Sequence, residues 1–167
     1  MREMVVGMTG GRPKRLPWGT NESDPRCIKL KKKLYDLMVD LISQGATTFV
    51  CGMALGCDTY FAETVLDFKD GYGLELIAAL SCADQAHLWA DKDKKRFRDI
   101  ILRCTDTHFT SIAHTPGCEK ERNHYIVDTS DVLIAIYSGA KRSGTAQTIA
   151  YAQKKGVPII FIDPTSL

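Results

Sequence analysis

The chain has 167 residues, 44% of them hydrophobic, which is enough apolar material for one domain to build a core without disulfides or metal. Its 22 basic residues against 20 acidic ones leave a net charge of +2, which excludes the strong basic footprint of nonspecific DNA binding. No apolar run approaches a membrane span, and Met1 to Met4 pass into strand-like residues without a secretory h-region or cleavage site, so a single cytoplasmic domain over residues 1–167 is expected.

In chain order, a first strand is predicted over Met4 to Met8. Thr9, Gly10, Gly11 and Arg12 follow it, offering backbone donors and a guanidinium fork that suit a phosphate. Arg12 to Pro25, rich in Pro, Gly, Asn and Asp, reads as a long irregular loop, and long loops inside compact domains are often functional. A helix is predicted over Cys27 to Ser43, with Lys29, Lys31, Lys32 and Lys33 on its wet side.

Thr47 to Cys51 is β-branched, aromatic and apolar, as a strand covered on both faces requires. Gly52 and Gly56 free the turn after it for close approach to a ligand, Asp58 is placed to cap the next helix, and Thr59 to Lys69 continues that helix. Glu63 lies five residues beyond Asp58 and so points to another side of the helix. These two acids are the candidates for activating water.

A third strand, Leu74 to Ala79, leads to Asp84 and Gln85, which can read a base or ribose. The helix predicted over Gln85 to Arg103 carries Trp89 as a stacking surface or as core, and the mixed charges of Asp91 to Asp99 as its wet face. A strand at His108 to Ile112 and a helix at Glu119 to Val127 follow. That helix brings Arg122 and Asn123, which either close over a ligand or serve a structural ion pair. Asp131 opens the strand Val132 to Ile136, and a second glycine turn ends in Ser143, Gly144 and Thr145. The helix Gly144 to Lys155 closes on Gly156 as its C-cap, before a last strand at Val157 to Ile162.

The alternation predicts an α/β fold with a mostly parallel sheet of about six strands, covered on both faces by right-handed crossovers. Loops that follow parallel strands share one rim of the sheet, so the glycine turns are expected to converge there on one anion. The six cysteines form no C-x-x-C pair and read as reduced small hydrophobes. Cys57, at a helix start that can lower a thiol pKa, is weighed as reactive against the commoner packing role. The four histidines lack metal-ligand spacing, so no metal is expected, and nothing in the chain calls for a cofactor.

Four motifs in order resemble the YpsA-like branch of the SLOG superfamily, the group that includes the DNA-processing protein DprA and the LOG nucleotide hydrolases. Thr9-Gly10-Gly11-Arg12-Pro13 is similar to T-G-H-R-P, and Gly52-Met53-Ala54-Leu55-Gly56-Cys57-Asp58 to G-M-A-L-G-x-D. Arg122-Asn123 matches the R-N before the fifth strand, and Gly144-Thr145-Ala146 the G-T-A after it. The resemblance covers nearly the whole chain. It implies a Rossmann-like three-layer sandwich with a nucleotide-shaped pocket between the glycine turns, lined by residues of these motifs, Met53 among them. Gly11 replaces the branch's usual His, which removes any role needing an imidazole. Thr148 stands where LOG hydrolases carry their catalytic Glu.

Three functions follow from these readings. The first is a sensor or regulator binding a nucleotide or nucleotide-derived ligand through its phosphate. The second is a hydrolase of an N-glycosidic or phosphate bond, using Asp58 or Glu63. The third, single-stranded DNA binding as in DprA, ranks last because only Trp18 and Trp89 offer stacking platforms in loops. Self-association into a homo-oligomer is expected from the superfamily.

Overall fold

The computed structural model describes residues 3–167; Met1 and Arg2, read above as the approach to the first strand, lie outside the described residues. Among the described residues, six strands form one sheet: β1 (Met4–Gly10), β2 (Ala46–Cys51), β3 (Glu75–Cys82), β4 (Asp106–Ser111), β5 (Val132–Ile136) and β6 (Ile159–Ile162). Their order is β4-β3-β2-β1-β5-β6, and each neighbouring pair is parallel. Five helices connect them: α1 (Pro25–Ser43), α2 (Cys57–Tyr72), α3 (Asp91–Arg103), α4 (Cys118–Thr129) and α5 (Gly144–Lys155).

Parallel strands need crossovers, and the apolar stripes of these helices decide which face each one covers. Cys27, Leu30, Leu34, Met38 and Leu41 recur at intervals of three and four along α1 and are buried. With Phe49 of β2 and Phe61 of α2 they form the larger core, to which α3 adds Ile100. Each such fully buried side chain contributes about 1.5–3 kcal/mol. On the other face, Ile126 and Val127 of α4 and Ala152 of α5 pack on Leu133 of β5. The result is the three-layer, Rossmann-like sandwich.

The chain steps outward from β1 to β4 and then returns to place β5 on the other side of β1, where Gly7 pairs with Val50 on one flank and Leu133 on the other. That reversal is the topological switch point of the sheet, and a crevice opens there beyond the strand ends.

Four helix starts differ from the predicted ones, α2 by two residues and α4 by one, both early. α1 begins two residues early because Pro25 occupies its first turn and the Asp24 side chain accepts from Arg26 N. α3 begins six residues late, at Asp91 rather than Gln85. Residues 84–89 instead form successive turns, with His87 N donating to Asp84 O at 3.0 Å and Trp89 N to Ala86 O at 3.0 Å. The Gln85 side chain is tied to Ser81 and Gly52, so a tertiary contact overrides helix propensity. The loop after β1 contains a single 3-10 turn, Pro13–Arg15, and then buries Leu16 and Trp18. Among the described residues no helix is long and apolar enough to cross a membrane.

Candidate functional site

The loop after β1 and the start of α2 are locked together. A Cβ on Gly10 would sit 2.6 Å from the Cys57 Cβ, so glycine is needed there for α2 to approach the strand. Gly56, at φ 89°, lies so close that an added Cβ would meet the Gly11 carbonyl at 2.8 Å. Cys57 N donates to that same carbonyl at 3.2 Å. The first amide of α2 is thus satisfied by the β1 loop. Asp58 does not cap α2 as expected; its Oδ2 accepts from Ala54 N at 3.1 Å and braces the turn that precedes the helix. Burial raises the Asp58 carboxyl above the usual carboxylate range, partly offset by the facing Arg122 guanidinium and the Ala54 N–H.

Gly52 serves a neighbouring side chain. An added Cβ would fall 2.5 Å from Nη1 of Arg122, and the Gly52 carbonyl accepts from that atom at 2.7 Å. Arg122 is only 5% exposed, and its Nε donates to Asn123 Oδ1 at 2.8 Å. These bonds, made to carbonyl and amide oxygens, stand in place of the structural ion pair weighed above. They use Nε and Nη1 and do not spend Nη2. The Gln85 amide group is consumed in the same junction: Nε2 donates to Gly52 O at 2.9 Å and to Met53 O at 3.3 Å, while Oε1 accepts from Ser81 N at 3.0 Å. Met53 holds a left-handed φ of 57° with its side chain buried, a conformation that non-glycine residues adopt rarely and at a cost of about 1–3 kcal/mol.

On the other side of the switch point, Ser143 caps α5, its Oγ accepting from Ala146 N at 3.1 Å. The amides of Gly144 and Thr145 have no carbonyl partner within the helix, because the first turn of any helix leaves its opening donors unpaired. A Cβ on Gly144 would meet nothing within 4 Å.

These pieces enclose a cleft of about 280 Å³ between the ends of β1 and β5. Thr9, Gly10, Gly11 and Arg12 form one wall, Ser143, Gly144 and Thr145 another, and Asp58, Arg122 and Asn123 also line it. A second cleft of about 420 Å³ adjoins it and contains Asp84, Gln85 and Trp89. Gly52 lines neither cleft. Met53 and Gly56 face a third cavity, of about 270 Å³, on the α3 side.

Glu63 is away from both clefts. Its Oε1 pairs with Arg96 Nη2 at 2.5 Å, and Arg96 Nη1 reaches Glu22 at 2.6 Å. Trp18 is buried with its Nε1 donating to Tyr60 Oη at 3.2 Å, so it offers no stacking platform. Trp89 is half-buried and edge-on to Phe97, with ring centroids 5.4 Å apart. Cys57 is buried, and desolvation first, then the Asp58 charge, push its thiol well above the ordinary range, opposite to an activated nucleophile. Sequence reasoning missed four charged residues of the first cleft, Lys14, Arg15, Glu119 and Arg142. The signal for three of them was a cation within three residues of a glycine already singled out or of Arg12.

Residues 6–167 match the profile of the YspA SLOG family. The chain belongs to that family. It is 26% identical over 157 residues to a UPF0398 protein of Bacillus cereus, covering 91% of this chain and 84% of the relative. To the UPF0398 protein YpsA of Bacillus subtilis it is 23% identical over 168 residues, covering 95% and 91%. Among solved structures, DprA from Streptococcus pneumoniae superposes with a TM-score of 0.65 at 20% identity, covering 96% of this chain. This chain spans about half, 50%, of that DprA chain. TM1055 superposes with a TM-score of 0.59 at 16% identity, covering 93% of this chain and 72% of its own. At these identities the two structures share the fold.

Thr148, which the motif resemblance sets at the position of the LOG glutamate, is closed to water. Thr148 is 2% exposed and its Oγ1 donates to Gly144 O at 2.8 Å, so it supports the start of α5.

Proposed function

We propose that the cleft between β1 and β5 binds a nucleotide or nucleotide-derived ligand through its phosphate, in a sensory or regulatory role. One observation carries this reading: the β1 loop with Gly10, Gly11 and Arg12, and the α5 start with Gly144 and Thr145, line the same cleft as the nearly buried Arg122. Unpaired helix-start amides attract anions, a guanidinium presents paired donors, and a switch point is where open parallel sheets hold ligands. SLOG membership supports the same reading. The protein is taken to act in the cytoplasm, as a homo-oligomer, on a small molecule rather than on nucleic acid.

A hydrolytic reading keeps one supporting observation. Asp58 lines the cleft with its carboxyl raised by burial, the property expected of a general acid or base. Against it, the Asp58 carboxylate accepts from Ala54 N, and Glu63 is engaged by Arg96. Titration calorimetry with nucleoside monophosphates, NAD and cyclic nucleotides, with chromatography of each mixture afterwards, separates the two. Saturable binding without products is the expected result. Products that vanish in Asp58→Asn would replace the sensor by an enzyme.

A further inference from the structure

The first and second clefts are joined. Arg12, Ala54, Glu119 and Arg122 stand in the walls of both. Arg12 Nη2 reaches Glu119 Oε2 at 3.7 Å, with the two side chains 53% and 56% exposed. An ion pair so long and so wet contributes at most about 1 kcal/mol, so an incoming anion of higher charge can displace the carboxylate.

Charge on the first cleft is lopsided. Arg12, Lys14, Arg15, Arg122 and Arg142 face Asp58 and Glu119, five basic groups against two acidic ones, a surplus of three positive charges. A phosphodiester brings one negative charge and a phosphomonoester about two, whereas a diphosphate ester brings about three. The second cleft has a different character. Leu55, Leu88 and Trp89 give it apolar and aromatic walls, with Asp84 and His87 beside them. The indole is fixed edge-on to Phe97 at an interplanar angle of 83° while remaining half-buried, a held surface for a planar group. Together the two clefts have room for a whole nucleotide, within the range of about 300–1,000 Å³ usual for ligand sites.

Building on the phosphate reading above, we propose that the ligand is a nucleoside diphosphate, or a nucleotide of equal charge, lying across both clefts. Its diphosphate occupies the first cleft and its base packs on Trp89 in the second. Arg12 exchanges Glu119 for a phosphate oxygen as the ligand enters. Glu119 is then a specificity residue: it neutralises Arg12 in the empty protein and disfavours ligands too weakly charged to displace it.

Calorimetry with ADP, GDP, AMP, adenosine and inorganic pyrophosphate tests this on the wild type and on two variants, one at the exposed Glu119 and one at the half-buried Trp89, each checked for an unchanged melting temperature. At least one diphosphate is expected to bind at least about tenfold more tightly than AMP. Glu119→Gln should tighten that diphosphate and pyrophosphate about two- to fivefold, the affinity equivalent of a surface ion pair, and leave adenosine unchanged. Trp89→Leu should weaken the diphosphate nucleotide at least about fivefold, the lower end of base-stacking effects, without touching pyrophosphate. Equal binding of mono- and diphosphate with no response to Glu119→Gln would overturn the two-cleft ligand while leaving the phosphate site standing. Loss of pyrophosphate affinity in Trp89→Leu would overturn the placement of the base. Failure of every nucleotide and of pyrophosphate to bind any form would overturn this proposal and the phosphate reading together.

Discussion

Replacing Gly144 by Ala separates the needs of a ligand from the needs of the fold. Gly144 is the first residue of α5, and a Cβ added there meets no atom within 4 Å, so the folded chain loses nothing by the change. Alanine also gives up less conformational freedom than glycine on entering a helix, a gain of about 0.5–1 kcal/mol. For a chain of 167 residues that gain raises the melting temperature by about 1–4 °C. The ligand experiences the opposite effect. A phosphate seated against the unpaired amides of Gly144 and Thr145 must retreat from the new methyl group, and losing one charge-assisted hydrogen bond costs about 1.5–3 kcal/mol. The dissociation constant for a nucleoside diphosphate therefore rises about tenfold to a hundredfold while the protein becomes slightly more stable. Calorimetry and a thermal melt on the same preparation read both quantities. Unchanged affinity would remove the α5 start from the site, and a melting temperature several degrees lower would show that the space beside Gly144 is not open.

Gly52→Ala tests the opposite kind of glycine: its Cβ would press on the buried Arg122 guanidinium at 2.5 Å, and a loss of about 2–4 kcal/mol is expected in denaturant titration, with a loss under about 0.5 kcal/mol contradicting the close fit. Glu22 has its carboxyl pulled from 4.5 to about 2, chiefly by the hydrogen bond from Arg96, so its stabilisation is present above pH 4.5 and is lost as pH falls toward 2. Discounted for partial exposure, Glu22→Gln should cost about 1–2 kcal/mol at pH 7 and almost nothing near pH 2; a cost independent of pH would show that the ion pair is not its source. Cys57, buried and with its thiol raised, should resist an aromatic disulfide reagent at pH 8 until the protein unfolds, and rapid labelling of the native protein at that position would contradict the packing described.

Hydrophobic periodicity and glycine placement made the order and type of the strands and helices readable, because inner parallel strands covered on both faces must be nearly continuously apolar, whereas the edge strand β4 has Phe109 as its one apolar residue. Val132–Ile136 and Gly144–Lys155 carry their boundaries in sequence, the first in its unbroken apolar run and the second in Ser143 and Gly156. The start of α3 was not readable, since Gln85 is a good helix former locally and is withdrawn by Ser81, Gly52 and Met53, the last two 33 and 32 residues away. For the site, the sequence identified glycines but not their employers. Gly10, Gly52 and Gly56 make room for Cys57, Arg122 and the Gly11 carbonyl, contacts between distant segments that no local pattern announces. Gly144 alone of these faces open space. The commitment of Glu63 to Arg96 and the burial of Trp18 against Tyr60 are likewise long-range facts.

Whether phosphate is held at the switch point can be read residue by residue from amide chemical shifts as ADP or GDP is added to isotope-labelled protein. The largest saturable changes are expected on Gly10, Gly11, Gly144 and Thr145, with the Arg122 side-chain signals moving in step. Shifts confined to the α3 cavity or to the β4 edge, with those four amides still, would contradict it.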